Sequence, residues 1–190
     1  MSDKKNRCSW CGTEPIYVQY HDKVWGVPEY DSKSLFAKLI LDGAQAGLSW
    51  ITILKKEQNY FDAFDGLDPF IIQHYDDDKY DELMQNAGIV RNKLKIKSTI
   101  SNAQHYVRMH DAGIDFSEYL WSFVGGKPKL NAFKTIGDVP AYTEDSDAMS
   151  KALKKEGFKF VGSTICYAFM QAVGMVNDHV TSCHRWKEVQ

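Results

Sequence analysis

Apolar residues return at steps of three and four along almost the whole of this chain, and strict alternation never runs long enough to make a convincing strand. Over residues 95–110, Ile96, Ile100, Ala103 and Val107 fall on one helical face. Ile165, Ala168, Phe169, Ala172 and Met175 mark a second such face. Met149, Ala152 and Leu153 mark a third, in a segment that Ser146 can cap and Gly157 can end. The same patterning predicts helices over 32–45, 49–64, 69–74, 78–86 and 117–123, and hence an all-α fold. The glycines and prolines of 125–143 predict the longest loop. With 190 residues, 44% of them apolar, the chain can bury a core without disulfide staples. No repeat, linker or low-complexity tract divides it, so residues 1–190 read as a single domain.

Several function classes drop out. The charged start, Met1 to Arg7, is not followed by the apolar run of a secretory signal. The densest apolar stretch, 165–170, is far short of the roughly 18 residues that span a bilayer. A cytoplasmic location without membrane partners is therefore expected, and there free or metal-bound thiols outnumber disulfides. A net charge of −2 offers phosphate no attraction from the molecule as a whole. Local clusters supply it instead: Lys151, Lys154, Lys155 and Lys159 in one place, Arg91, Lys93, Lys95 and Lys97 in another.

Chemistry concentrates at the two ends. Cys8 and Cys11 lie near His21, while His179 and Cys183, four apart, share one side of a helical turn. Zinc takes four nitrogen and sulfur ligands in a tetrahedron. Two sets satisfy it: Cys8, Cys11, His179 and Cys183, or Cys8, His21, His179 and Cys183. Either would be a structural staple between the ends of the chain. Cys166, on an apolar helical face, reads as a buried free thiol.

Residues 147–174 read as helix, tight hairpin and helix, with Gly157-Phe158-Lys159-Phe160-Val161-Gly162 as the link. Gly162 lets another group approach closely, and the free amides of Ser163, Thr164 and Ile165 would face a phosphate. Tyr17, Tyr20, Trp25 and Trp50 surround two polar stretches, Tyr20-His21-Asp22 and the run from Asp42 to Trp50. Aromatic faces beside a carboxylate suit a flat, cationic, hydrogen-bonding ligand such as an alkylated purine.

At this point the chain resembles the bacterial type I DNA-3-methyladenine glycosylases. The resemblance rests on Tyr20-His21-Asp22 with Trp25-Gly26-Val27-Pro28, and on Gln45-Ala46-Gly47-Leu48-Ser49-Trp50-Ile51-Thr52. It continues through Trp121-Ser122-Phe123-Val124, the Gly157–Gly162 link and Asn177-Asp178-His179-Val180, in family order over nearly the whole chain. It implies a helix–hairpin–helix glycosylase fold of two helical lobes with a DNA-binding cleft. It also implies hydrolysis of the N-glycosidic bond of 3-methyladenine without strand cleavage, acting as a monomer on double-stranded alkylated DNA and releasing free 3-methyladenine.

Carried over by position, the ligands of one structural Zn2+ are Cys8, His21, His179 and Cys183. The base pocket is Tyr17, Tyr20 and Trp50 with Gln45 nearby, and Gly47 and Leu48 fill the gap left by the extruded nucleotide. Gly162, Ser163 and Thr164 meet the DNA backbone. The family's purine-reading carboxylate is usually glutamate; here Asp42 takes that catalytic position, one methylene shorter. It is expected still to accept from the adenine amino group, through a small backbone shift or a water. Asp178 reads equally as a base or as a contact supporting His179. A non-catalytic DNA-binding module and a glycosylase for a different alkylated base are the competing readings.

Overall fold

The structure, a computed structural model, describes residues 5–190; Met1 to Lys4 of the charged start lie outside it. Eleven α-helices are present among these residues: α1 (Pro15–Lys23), α2 (Ser32–Gln45), α3 (Trp50–Leu54), α4 (Glu57–Ala63), α5 (Pro69–Ile72), α6 (Asp77–Gln85), α7 (Lys93–Asp111), α8 (Phe116–Trp121), α9 (Glu144–Glu156), α10 (Ser163–Ala172) and α11 (Arg185–Glu188). Short aspartate and asparagine side chains set where many of them start. Asp31, Asp68, Asp76, Asn92 and Asp115 each accept a hydrogen bond from a first-turn amide of the helix that follows.

The centre of the molecule is α2. Leu35, Phe36, Leu39, Ile40 and Leu41 are all buried, so this helix is apolar nearly all round and neighbours surround it. It packs against α10, α7, α3 and α8, while α5 lies along α7 and α9 along α10. Each fully buried leucine contributes about 1.5–3 kcal/mol relative to exposure. Because Asp42 sits within this helix, the core itself fixes its position.

The turn between α9 and α10 is clamped to its surroundings. Asn102 of α7 donates to the Lys159 carbonyl at 3.1 Å and accepts from the Lys159 amide at 2.8 Å. Gly157 closes α9 at φ 102°, with the His105 ring only 2.5 Å from where a Cβ would sit. A Cβ on Gly43 would stand 3.2 Å from Phe160, so the turn docks beside Asp42.

Several boundaries differ from those expected. Thr143, not Ser146, caps α9, with the two side chains bonding reciprocally to each other's backbone amides. The helix expected over 49–64 breaks at Lys55-Lys56 into α3 and α4. The helix α1 had no predicted counterpart. The long loop is not wholly irregular either: strand β1 (Lys129–Leu130) pairs in parallel with β2 (Val176–Asn177), Lys129 opposite Val176. The fold is thus mostly helical, with one two-residue strand pair. Trp186 also donates to the Asn131 carbonyl at 2.7 Å, tying the loop to the C-terminal segment. No helix among the described residues is long and apolar enough to cross a membrane.

Candidate active site and terminal cysteine–histidine cluster

A cavity of about 390 Å3 opens between α1, α2, α3, α10 and the 136–141 part of the long loop. Tyr17, Tyr20, Asp42, Gln45 and Trp50 all line it, together with Trp10 and Trp25. The aromatic rings brace one another: Trp10 lies 5.1 Å from Tyr17 and 4.9 Å from Trp25, and Tyr20 lies 5.4 Å from Trp50. Such tilted and edge contacts suit rings with a negative face and a positive rim. Burial pushes the Tyr20 hydroxyl well above its ordinary pKa, and the Asp42 charge adds to this, so Tyr20 is a neutral donor at this wall.

Asp42 is 2% exposed. One of its oxygens, Oδ1, accepts from Lys38 one turn earlier on α2, and the other, Oδ2, is buried with no partner among the described residues. The Lys38 ammonium also lies 3.9 Å from the Trp50 ring centroid, a cation–π contact. Burial raises the Asp42 pKa against the Lys38 charge, and burial lowers that of Lys38 against Asp42. The Trp50 indole N–H is likewise buried without a partner. The Trp10 indole N–H, on the same cavity, is unpartnered as well, so the site holds one unused acceptor and two unused donors.

Other expected positions are distributed around this cavity. Gly47 and Leu48 do not line it; they sit exposed in the turn between α2 and α3, Gly47 at φ 77°. Lys95, expected in a phosphate-facing cluster, instead points inward and donates to the carbonyls of Ala44 and Ala46 at 2.7 Å each. It thereby holds the end of α2 from which that turn leaves. Gly162 precedes α10 with no side-chain cap, Ser163 bonds the Ser146 hydroxyl at 3.0 Å, and Thr164 reaches the cavity wall.

Asp178 is also at the wall and almost fully buried. It accepts from Asn131 at 2.7 Å, Tyr167 at 2.5 Å and Gln171 at 2.8 Å. A contact to His179, one of the two readings of Asp178, is absent from these partners, and the His179 ring instead bonds the Trp25 carbonyl at 3.1 Å. Asp178 ties the long loop to α10.

At the termini, Cys8, His21, His179 and Cys183 are all buried, and their ligand atoms lie within 4.8 Å of one another, so the four could hold a metal ion. Cys183 Sγ stands 3.5 Å from His21 Nε2 and 3.6 Å from His179 Nδ1, and Cys8 Sγ is 3.6 Å from the same Nδ1. Each imidazole is oriented from its far side. His21 donates through Nδ1 to Asp22 at 2.8 Å, and His179 through Nε2 to the Trp25 carbonyl. Their remaining nitrogens face the thiols as lone pairs. Burial pushes Asp22 upward, but hydrogen bonds from Arg7 and His21 outweigh it and hold the carboxyl down at about 2. The two buried thiols act on each other, which raises Cys8 and lowers Cys183 from the ordinary thiol value. Cys11, buried nearby, turns to the Gly12 carbonyl and stands outside the cluster.

The profile of the methyladenine glycosylase family matches residues 10–186. This chain belongs to the methyladenine glycosylase family. Within that family it is 50% identical over 177 residues to DNA-3-methyladenine glycosylase 1 of Escherichia coli, covering 93% of this chain and 95% of the relative. The corresponding figures for the DNA-3-methyladenine glycosylase of Haemophilus influenzae are 49%, 93% and 96%. A crystal structure of 3-methyladenine DNA glycosylase I superposes with a TM-score of 0.93 at 49% identity, over 94% of this chain and 98% of the other. The Staphylococcus aureus enzyme, solved for its recognition of 3-methyladenine, superposes at 0.91 with 38% identity, over 95% and 96%. The type I resemblance carried by the sequence motifs is therefore correct.

The residues that sequence reasoning missed are Lys38 and Trp10. An i,i+4 lysine–aspartate pair reads as an exposed helix face, and only the packing around α2 buries it. Trp10 carries no motif, and the signal that could have found it is its position between Cys8 and Cys11 beside the aromatic run of α1.

Proposed function

We propose that this protein is a monofunctional DNA glycosylase that extrudes a 3-methyladenine nucleotide from duplex DNA and hydrolyses its N-glycosidic bond. The observation that carries this reading is the unpartnered Asp42 Oδ2 buried in an aromatic cavity. A buried acceptor left without a donor costs about 1–3 kcal/mol, a cost that a base amino group would remove. Methylation at N3 makes adenine cationic while it is attached to the sugar, so the leaving group needs little further activation. Aromatic stacking contributes about 1–3 kcal/mol per base, and the free Asp42 Oδ2 offers the base a hydrogen-bond acceptor. Water then attacks C1′ of an oxocarbenium-like sugar. Asp178 already accepts three hydrogen bonds, so its role here is to hold the cavity wall, not to take a proton.

On this reading the turn from Gly157 to Gly162 forms the hairpin of a helix–hairpin–helix element, and the amides at Gly162, Ser163 and Thr164 meet a phosphate. Lys151, Lys154, Lys155 and Lys159 are exposed around it. Leu48, 42% exposed at the turn after α2, with Gly47 fills the space of the extruded nucleotide. Residues 1–190 act as one domain of two lobes and need no second subunit. The terminal cluster fits one structural zinc: tetrahedral Zn–S and Zn–N bonds separate a sulfur from a nitrogen by about 3.5 Å, the spacing found between Cys183 and both imidazoles. Bound there, zinc would cross-link the ends of the chain.

The test is base release from methylated duplex DNA by purified protein, with products separated chromatographically. Free 3-methyladenine with 7-methylguanine retained in the DNA is the expected result. Release of neither base, with DNA still bound, would leave a binding module and overturn the reading.

A further inference from the structure

Lys38 is absent from the motifs that mark the family, yet it makes two close contacts in the cavity. Its ammonium pairs with Asp42 Oδ1 and lies 3.9 Å from the Trp50 ring centroid, held between an anion and a π-face. Only 13% of its side chain is exposed. Because residues four apart share a helical face, Lys38 reaches Asp42 without distorting α2. Binding one carboxylate oxygen fixes the rotation of the other, and that other oxygen is the unpartnered Oδ2.

Resting on the glycosylase reading, we propose that Lys38 is a positioning residue for Asp42: it anchors Oδ1 and balances its charge, so that Oδ2 is presented to the extruded base as a single, ionised acceptor. The ammonium also occupies one face of Trp50.

Charge is the second half of the argument. Burial opposes ionisation of Asp42, and Lys38 is the cation that offsets it. The other titratable groups coupled to Asp42 all oppose its charge or are neutral: Tyr20 from α1, Glu57 from α4 and Cys166 from α10. Removing the ammonium therefore moves the Asp42 titration upward, and activity that needs the ionised form fades at a higher pH as the medium is acidified.

The test compares wild type with Lys38→Met and Lys38→Arg in two readouts. The first is the Asp42 carboxyl NMR signal, followed against pH in protein carrying labelled aspartate. The second is the pH profile of kcat/KM for base release from methylated duplex. Lys38→Met is expected to move both the NMR midpoint and the acidic limb up by about 1–3 units, the scale of a neighbouring opposite charge. Lys38→Arg should restore both. A Lys38→Met midpoint and limb unchanged from wild type would overturn the proposal, as would a loss of activity equal at every pH. If wild type released no base at any pH, the glycosylase reading would fall, and the NMR midpoint alone would decide whether Lys38 governs Asp42.

Discussion

At the scale of single residues, the site turns on how much one carboxylate can do in a buried place. Asp42→Asn keeps the shape and one carbonyl acceptor but removes the ionised acceptor. A hydrogen bond to a charged group is worth about 1.5–3 kcal/mol, so kcat/KM for 3-methyladenine release is expected to fall roughly tenfold to hundredfold. Steady-state release assays would measure this, and wild-type activity in the variant would remove Asp42 from the site. The variant should also lose stability, because Lys38 keeps its buried ammonium without its ion-pair partner. Tyr17, Tyr20, Asp42, Gln45 and Trp50 were all legible in the sequence, since they sit in or beside contiguous motifs. Lys38 was not: its importance comes from burial, which α3, α4 and α10 impose from elsewhere in the chain. Asp178 shows the same limit in reverse. Its neighbour in sequence is His179, but its partners Asn131, Tyr167 and Gln171 come from two other segments.

At the scale of elements, long periodic segments were readable and short ones were not. The bounds of α2 coincide with those expected, because a capping aspartate and an unbroken apolar pattern mark it. The helix α1 is rich in aromatic and β-branched residues with little apolar periodicity, so its helicity reflects packing and Pro15 at its first turn. The pairing of β1 with β2 joins residues 47 positions apart at Lys129 and Val176 and has no local signature. The turn between α9 and α10 was visible from its glycines, but its anchor was not. Asn102 supplies two hydrogen bonds to Lys159 from the middle of α7. Asn102→Ala should cost about 1 kcal/mol for each bond, and for a chain of this length each kcal/mol lowers Tm by about 2–4 °C. Hydrogen exchange at the Lys159 amide should quicken, and affinity for duplex DNA should drop while free 3-methyladenine still binds. Equal losses for DNA and free base would show that the turn supports the cavity instead of gripping DNA.

At the scale of the whole molecule, the two chain ends are brought together by side chains 158 or more positions apart, Cys8 and His21 meeting His179 and Cys183. Cys-x-x-Cys spacing in the sequence left Cys11 and His21 as rival ligands. Geometry separates them, because His21 points Nε2 into the cluster and Cys11 turns to Gly12. Around this centre Asn6 donates to the Ser182 carbonyl at 2.6 Å and accepts from the His184 amide at 2.9 Å, so the joint is already partly formed by hydrogen bonds. The wall of the aromatic cavity is close by: Trp25 stacks near His21 and gives its carbonyl to His179. With zinc bound, the cluster would therefore steady Trp25 as well as the termini. Asp22 is the lever for testing this, because it orients His21 without being a ligand. Asp22→Asn should weaken zinc binding about tenfold to hundredfold, the usual effect of losing a carboxylate behind a metal-bound histidine. Competition against a chromophoric chelator measures that loss directly. Stripping zinc from wild type should lower Tm and raise KM for alkylated DNA together, since one joint serves both the ends of the chain and the aromatic wall. A protein that binds no zinc, or one whose KM ignores its removal, would confine the cluster to buried thiols and imidazoles with no hold on the site.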